Sequence, residues 1–526
     1  MDKFLKFVSA AGMAVALSAM LAADPAAAFE RRDGEKILVF ASRADFVALD
    51  PSIKYDAASR TFQRAMYDAL VKYVGSPPKV IPWLAKSYEA SDGGKTYTFN
   101  LVKNAKFHNG DPVTAEAVRW SFVRTLKIGK GPSWMLADVL KPENIVAVDD
   151  HTVRITLNRP YAPFVTFLPW WFIMNPKPLM ANEVDGDMGQ KWLAKNDAGG
   201  GPYKLVRVEP SRLWELDRVD DYWRGFKGKL GGIIFKTIRE SSVQRAALIK
   251  KELDIVTSLG PDEFEAISRR KGIKTSTEPA LSAFGFKFNT RGKYLSDVNV
   301  RRAVAWAYDY DGLIKIYNGR AKLQTSPFND AIQGKISVPG IPHKDVAKAK
   351  AHLAKSKWPN GGFDLEIVHV AGNKEQQQMA LILIDSLKAL NIGVKVTPLP
   401  WSGMLARGSD PKTSPDIMTV WVTPVSVDPD AVASQYHPKS WGRYWGTHWY
   451  DNPEVAKLVE EGVALTDWSK RKPIYEKIQK ILVDDATEIF GMMRQRMVVY
   501  NDYVKGFDYS PVLMTDEIDL YQLYIE

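Results

Sequence analysis

The feature that most constrains the fold is an alternation of strand-like and helix-like segments along the chain. Residues 363–370, 375–390 and 394–399 predict one strand–helix–strand unit, because apolar runs flank a segment of helical periodicity. A weaker unit of the same kind covers residues 233–256. Such alternation is typical of α/β lobes with largely parallel sheets.

Length and composition narrow the class of protein. The chain has 526 residues, of which 45% are hydrophobic and 25% charged, so it predicts a globular protein of three or four domains or lobes. The net charge of +10 is spread along the chain, and we therefore expect no nucleic-acid partner. The chain has no cysteine, which excludes disulfides, thiol catalysis and a lipid anchored on cysteine.

The first 28 residues have the three parts of a secretory signal. Lys3 and Lys6 precede an apolar stretch over residues 7–23, and three alanines end at Ala28. We expect cleavage after Ala28, which leaves an exported, soluble protein in the periplasm that is not a lipoprotein.

Motifs for catalysis, metals and cofactors are missing from the sequence. The seven histidines show neither HxH nor HExxH spacing, so we expect no metal site. Gly93, Gly94 and Lys95 resemble the end of a phosphate loop, but Glu89 stands where its first glycine is required. No GxSxG nucleophile elbow occurs. We therefore expect neither a cofactor nor an enzymatic activity.

A series of short phrases extends over nearly all of the chain after the signal. In chain order the phrases lie at residues 44–51, 67–70, 82–89, 96–99, 107–118, 201–203, 221–225, 288–290, 297–303, 307–309 and 452–455. The most specific is FHNGDPVTAEAV at residues 107–118. In type and order these phrases resemble the family 5 extracellular solute-binding proteins of ABC importers, which include dipeptide- and oligopeptide-binding proteins.

The resemblance implies a two-lobed periplasmic-binding-protein fold of the α/β class, with an extra subdomain inserted in lobe I. On this sequence, lobe I would comprise residues 29–58, 200–280 and 497–526. The inserted subdomain would be residues 59–199, and lobe II would be residues 281–496. Two crossover strands would lie near residues 283–288 and 489–497.

The resemblance also implies a function. Such a protein captures a peptide or similar extended solute between its lobes and delivers it to an inner-membrane ABC permease with its ATPases. We expect a monomer that closes around its ligand. Two alternatives stay open at this point: an exported hydrolase, and a chaperone-like or receptor protein on the same scaffold.

Tryptophans are the first candidates for ligand contact. Trp401 and Trp421 resemble positions that face the cleft in peptide-binding relatives, and Trp445 lies in a glycine-rich segment that predicts a loop. Asp45 resembles an acidic cleft residue of oligopeptide binders. Arg407 follows Trp401 by six residues and is a candidate partner for a ligand carboxylate.

One departure from the family pattern concerns the ligand. Peptide binders of this family place an aspartate three residues after the tryptophan at the Trp421 position, where it holds the α-amino group. This chain has Pro424 there, followed by Val425, and neither side chain can accept a hydrogen bond. Asp428 or Asp45 is then the candidate for that role.

Overall fold

The structure is a computed structural model that describes residues 35–43, 48–228, 230–257, 259–507, 509–513 and 517–526. The signal segment and Asp45 lie outside the described residues. The strands are β1 (Ile37–Ser42), β2 (Val71–Val74), β3 (Lys79–Pro82), β4 (Ala85–Ser91), β5 (Thr96–Leu101), β6 (Ile145–Asp149), β7 (Thr152–Thr156), β8 (Tyr203–Glu209), β9 (Leu213–Arg218), β10 (Gly232–Thr237), β11 (Ile255–Val256), β12 (Ile273–Phe288), β13 (Ala321–Leu323), β14 (Phe363–Val370), β15 (Ile392–Leu399), β16 (Ile417–Val422), β17 (Glu488–Asn501), β18 (Val504–Lys505) and β19 (Tyr524–Ile525).

Helices alternate with these strands. The α-helices are α1 (Ala57–Met66), α2 (Ala115–Ile128), α3 (Phe164–Phe167), α4 (Pro176–Ala181), α5 (Gln190–Leu193), α6 (Ser241–Ile249), α7 (Pro261–Ser268), α8 (Val298–Ala307), α9 (Tyr310–Lys315), α10 (Val346–Leu353), α11 (Lys374–Lys388), α12 (Trp401–Gly408), α13 (Asp430–Ala433), α14 (Pro453–Ala464) and α15 (Trp468–Asp484). Short 3-10 helices cover Gly131–Met135, Pro142–Asn144, Leu168–Trp170, Ser434–Tyr436, Pro438–Ser440, Tyr444–Gly446 and Leu520–Gln522. None of the helices in the described part of the chain is both long and apolar enough to cross a membrane.

Local sequence signals account for several of these elements. The Thr114 side chain accepts a hydrogen bond from the Ala117 N–H and caps α2, as the sequence predicts. Gly110, in the preceding turn, has a φ of 91°, a value that suits glycine. At the start of α11, Asn373 accepts from the Gln376 N–H in the same way.

The largest sheet passes through both lobes. Its strand order is β15-β14-β16-β12-β17-β11-β1-β10-β9-β8, and β13 pairs with β17. Parallel pairs join β1 to β10 and β11, and β14 to β15 and β16. The pairs that involve β12, β17 or β9 are antiparallel. This sheet is therefore mixed, and the four-stranded sheet β4-β5-β7-β6 is antiparallel throughout. The expectation of largely parallel sheets is wrong at the crossover, at the β8–β9 edge and in that smaller sheet.

The strands β12 and β17 connect the lobes. They pair over 273–279 with 495–501, and again over 283–287 with 488–493, with a register shift between Pro279 and Ala283. The first stretch adjoins β11 of one lobe, and the second adjoins β16 of the other. Both predicted crossovers are strands. The predicted limits of the lobes and of the inserted subdomain stay predictions.

Hydrophobic cores lie behind both sides of the cleft between the lobes. One core lies around the four-stranded sheet β4-β5-β7-β6 and helix α2. Another packs α8 and α11 against β12, β14 and β16. Val425 and Val463 of the second lobe join the first of these cores. The residues on either side of the cleft are thus held by packed structure.

Candidate functional site

A cavity of about 300 Å³ lies between residues 134–167 on one side and residues 421–463 on the other. Tyr55 also contributes to its wall. A volume of this size is at the lower end of the range for small-molecule sites in proteins. The cavity is therefore the candidate ligand site of the described chain.

Direct contacts hold the two sides of the cavity together. Trp170 Nε1 donates to the Val425 carbonyl at 2.6 Å, and the Ala162 N–H donates to the Val463 carbonyl at 2.9 Å. The Thr166 and Ser426 hydroxyls are 2.8 Å apart. The structure thus has the lobes in contact on this side of the cleft.

Aromatic rings line one part of the cavity. Trp134 lies 5.4 Å from Trp445 across the cleft, and 6.3 Å from Tyr55 on its own side (centroid distances). Trp445 belongs to the 3-10 helix Tyr444–Gly446, so the glycine-rich segment forms short turns, as the sequence predicts. These rings offer flat apolar surface to a ligand.

Trp421 lines the cavity from the end of β16. Its ring lies 5.0 Å from that of Phe284 on β12, and the Arg494 guanidinium of β17 lies 4.8 Å from its centroid. The backbone N–H of Trp421 donates to the Tyr444 hydroxyl at 2.9 Å. Side chains of both crossover strands therefore hold this indole in place.

Asp430 is a buried acid of the cavity wall that the sequence analysis missed. It is the first residue of α13, is 5% exposed, and accepts a hydrogen bond from the Tyr161 hydroxyl at 3.1 Å across the cleft. No cation of the described chain lies within ion-pair distance of it. Burial raises the pKa of Asp430 to about 7, and the nearby Asp428 charge adds to the rise. The sequence contains a clue to this residue, because Asp430 lies two residues after the candidate Asp428 in the segment Asp428-Pro429-Asp430.

Asp428 does not line this cavity. Its two carboxylate oxygens each accept a hydrogen bond from the Arg471 guanidinium at 2.9 Å. Both side chains are nearly inaccessible, at 4% and 6% exposure. This differs from the expectation that Asp428 holds a ligand ammonium, because Arg471 already provides its counter-charge.

Arg407 also has an internal partner. Its guanidinium donates to both carboxylate oxygens of Glu366 at 2.8 Å, and its Nε donates to the Thr413 carbonyl. It does not line the cavity, in contrast to its expected role with a ligand carboxylate. Trp401 is 48% exposed and lies 4.7 Å from the Tyr444 ring, outside the cavity wall.

Basic side chains line the rest of the cavity. Arg159, Lys439 and Arg443 all contribute to the wall. Lys439 Nζ lies 3.2 Å from Glu460, whereas no carboxylate of the described residues lies within ion-pair distance of Arg159 or Arg443. The cavity therefore combines one buried acid with two unpaired guanidinium groups.

Comparison with known proteins identifies the family. The family model for bacterial extracellular solute-binding proteins, family 5 Middle, matches residues 79–443. The chain is 32% identical to a probable D,D-dipeptide-binding periplasmic protein, DdpA, of Escherichia coli (strain K12), over 91% of this chain and 92% of that protein. It is 26% identical to the dipeptide-binding protein of the same organism, over 91% of this chain and 93% of that protein.

A solved structure agrees with the overall architecture. The periplasmic binding protein DppA of Helicobacter pylori, in complex with the peptide STSA, is 26% identical and has a TM-score of 0.78. The match covers 93% of this chain and 98% of that one. By its two-lobed fold and by sequence, the chain belongs to the family 5 extracellular solute-binding proteins of bacteria.

Proposed function

We propose that this protein captures a short peptide with a free amino group and delivers it to an ABC permease and its ATPases. The single observation that carries the ligand class is Asp430, a carboxyl on the cavity wall that is buried without a cationic partner from the described chain. A buried carboxylate is stabilised by an opposite charge within a few ångströms. A peptide ammonium supplies that charge, so Asp430 takes the role that Pro424 cannot fill.

The other end of the ligand meets basic residues. Arg159 and Arg443 line the same cavity and are exposed at its rim. A guanidinium binds a carboxylate through two parallel hydrogen bonds. A zwitterionic peptide therefore matches the charges of the wall at both ends, while Trp421 and Trp445 pack against its apolar atoms.

The size of the cavity favours a di- or tripeptide over a longer chain. A volume of about 300 Å³ is small for an extended oligopeptide. The relative that is named a probable D,D-dipeptide-binding protein supports the same ligand length. Dipeptides of both chiralities are the first ligands to test.

The family and the N-terminal segment support a proposal about cellular location and partners. We propose a monomeric periplasmic protein that is released from its signal at Ala28 and performs no catalysis. Fractionation by osmotic shock and N-terminal sequencing test this directly. We expect soluble protein that begins at Phe29; an intact N-terminus, or protein that stays with washed membranes, contradicts the proposal.

Calorimetry tests the ligand. We expect the mature chain to bind L-Ala-L-Ala or D-Ala-D-Ala, and N-acetylation of the better dipeptide to weaken binding at least tenfold, since the acetyl group removes the ammonium. Tetraalanine serves as the control for length. Equal binding of the acetylated and free dipeptides would overturn the role of the amino group. Mass spectrometry of solute retained through native purification provides an independent identification.

A further inference from the structure

A second, much smaller cavity lies beside the ligand cavity, where the crossover strands enter the second lobe. Its volume is about 10 Å³, and its wall includes Gly285 and Lys287 of β12, Glu488 of β17, and Asn329. Gln435 lines both cavities. Val422 also lines both, so the two cavities share a wall at the base of the crossover.

Three polar atoms at this cavity lack a partner from the protein. Asn329 Nδ2, Asn329 Oδ1 and Gln435 Oε1 are buried and make no hydrogen bond within the described part of the chain. The two residues are 1% and 5% exposed. Buried polar groups in folded proteins almost always have a hydrogen-bond partner, because leaving one unpaired costs its lost hydration.

The charges on the wall indicate which kind of molecule completes these bonds. Lys287 Nζ donates to Glu488 Oε1 at 2.7 Å and lies 3.4 Å from the Tyr436 hydroxyl. Both charged side chains are buried, at 1% and 5% exposure, and they compensate each other. The ammonium disfavours a metal cation, and the carboxylate disfavours an anion. A neutral molecule that both donates and accepts hydrogen bonds remains.

We infer that this cavity binds one ordered water molecule. The water accepts a hydrogen bond from Asn329 Nδ2 and donates one to Gln435 Oε1. A volume of about 10 Å³ is at the lower limit for a single water, and buried waters typically bridge polar groups of this kind. The water therefore ties Gln435, part of the ligand-cavity wall, to Asn329 and the base of the crossover strands.

The inference does not rest on the identity of the ligand. A crystal structure of the mature protein at a resolution that shows ordered water tests it, without added peptide. We expect a density peak within hydrogen-bond distance, about 2.7–3.2 Å, of Asn329 Nδ2 and Gln435 Oε1. An empty cavity, or a direct bond between the two amides, would overturn the inference.

Two variants extend the test to the residues themselves. Asn329→Leu has a side chain of similar size without polar atoms, and we expect it to lose the water peak. Asn329→Ser is the matched control, since it keeps a hydroxyl and should retain the peak. A peak that persists in Asn329→Leu, or one with metal-like contacts shorter than about 2.5 Å, contradicts the assignment. If Asn329→Leu does not fold, the parent structure and Gln435→Leu decide the question in the same way.

Discussion

The loop from Pro424 to Asp430 has two faces that carry similar side chains in different environments. On the face turned away from the ligand cavity, Asp428 is buried and accepts a bidentate pair of hydrogen bonds from the Arg471 guanidinium. On the cavity face, Asp430 is equally buried, but among the described residues its one side-chain donor is the Tyr161 hydroxyl. The two carboxylates are two residues apart in sequence.

The difference shows that the partner, more than the burial, determines what a buried acid does. Asp428 has its counter-charge within the fold, so its role is structural. Asp430 has no ion-pair contact within the described chain; the charges of Arg471 and Arg159 act on it only from a greater distance, and its pKa is raised to about 7. A ligand can therefore provide the charge that the fold does not, and each of the following experiments tests one side of this contrast.

The largest effect should come from breaking the internal pair. Arg471→Met leaves the Asp428 carboxylate buried without a counter-charge, and we expect the free energy of unfolding in urea to fall by about 3–5 kcal/mol. Lys470→Met is the matched control, because that lysine is exposed and lies 4.0 Å from Asp467; it should change stability by less than about 0.5 kcal/mol. Equal stabilities of the two variants would contradict the structural role of Asp428.

Asp430→Asn should weaken ligand binding without lowering stability, because the amide avoids the cost of a buried charge. The amide keeps the shape and the bond from Tyr161 but cannot compensate an ammonium, so we expect affinity for the dipeptide to fall about ten- to a hundredfold, as for loss of a hydrogen bond to a charged group. Asp138→Asn removes an exposed carboxylate from the same cavity wall and is the control. If both variants weaken binding to the same extent, general charge attraction explains the result and Asp430 has no special role.

The pH dependence of binding follows from the raised pKa of Asp430. An ammonium binds the carboxylate form of Asp430, so below about pH 7 the acid must lose a proton before the ligand binds. The affinity should therefore decrease as the pH is lowered, approaching a tenfold loss for each pH unit. Calorimetry between pH 5 and 8 checks this trend, and Asp430→Asn should flatten it. The stability of the ligand-free protein should depend on pH in the opposite direction. Between about pH 4 and pH 7 the folded form holds a proton on Asp430 that the unfolded chain has lost. The contribution of Asp430 to the free energy of unfolding therefore falls as pH rises through about 7. A dipeptide affinity independent of pH would contradict the role of Asp430.

The smallest effect is expected from Tyr161→Phe. Loss of the hydroxyl removes one donor to Asp430, and we expect a two- to tenfold weaker affinity, in line with about 0.5–1.5 kcal/mol for one hydrogen bond. The same loss should move the midpoint of the pH profile upward, because that bond stabilises the carboxylate. Tyr308→Phe is the control, since the buried Tyr308 hydroxyl makes no hydrogen bond in the described structure. An unchanged midpoint in Tyr161→Phe would show that the bond does not tune the acid.

Much of the architecture follows from the sequence. The apolar pattern of β14, α11 and β15 predicts their types, and the Thr114 cap predicts the start of α2. The family resemblance predicts the two lobes, and the glycines around Trp445 predict the absence of a long helix there. These features depend on neighbours in the chain, which the sequence shows directly.

The binding site depends on contacts between distant parts of the chain. Arg407 is bonded to Glu366, 41 residues away, and Asp428 to Arg471, 43 residues away. Asp430 meets Tyr161, which is 269 residues away. The sequence by itself determined which charged groups exist and which segments form strands and helices. Only the tertiary structure decided which acid has a partner and which faces the cavity, because a charge is compensated by whatever lies within a few ångströms of it in space.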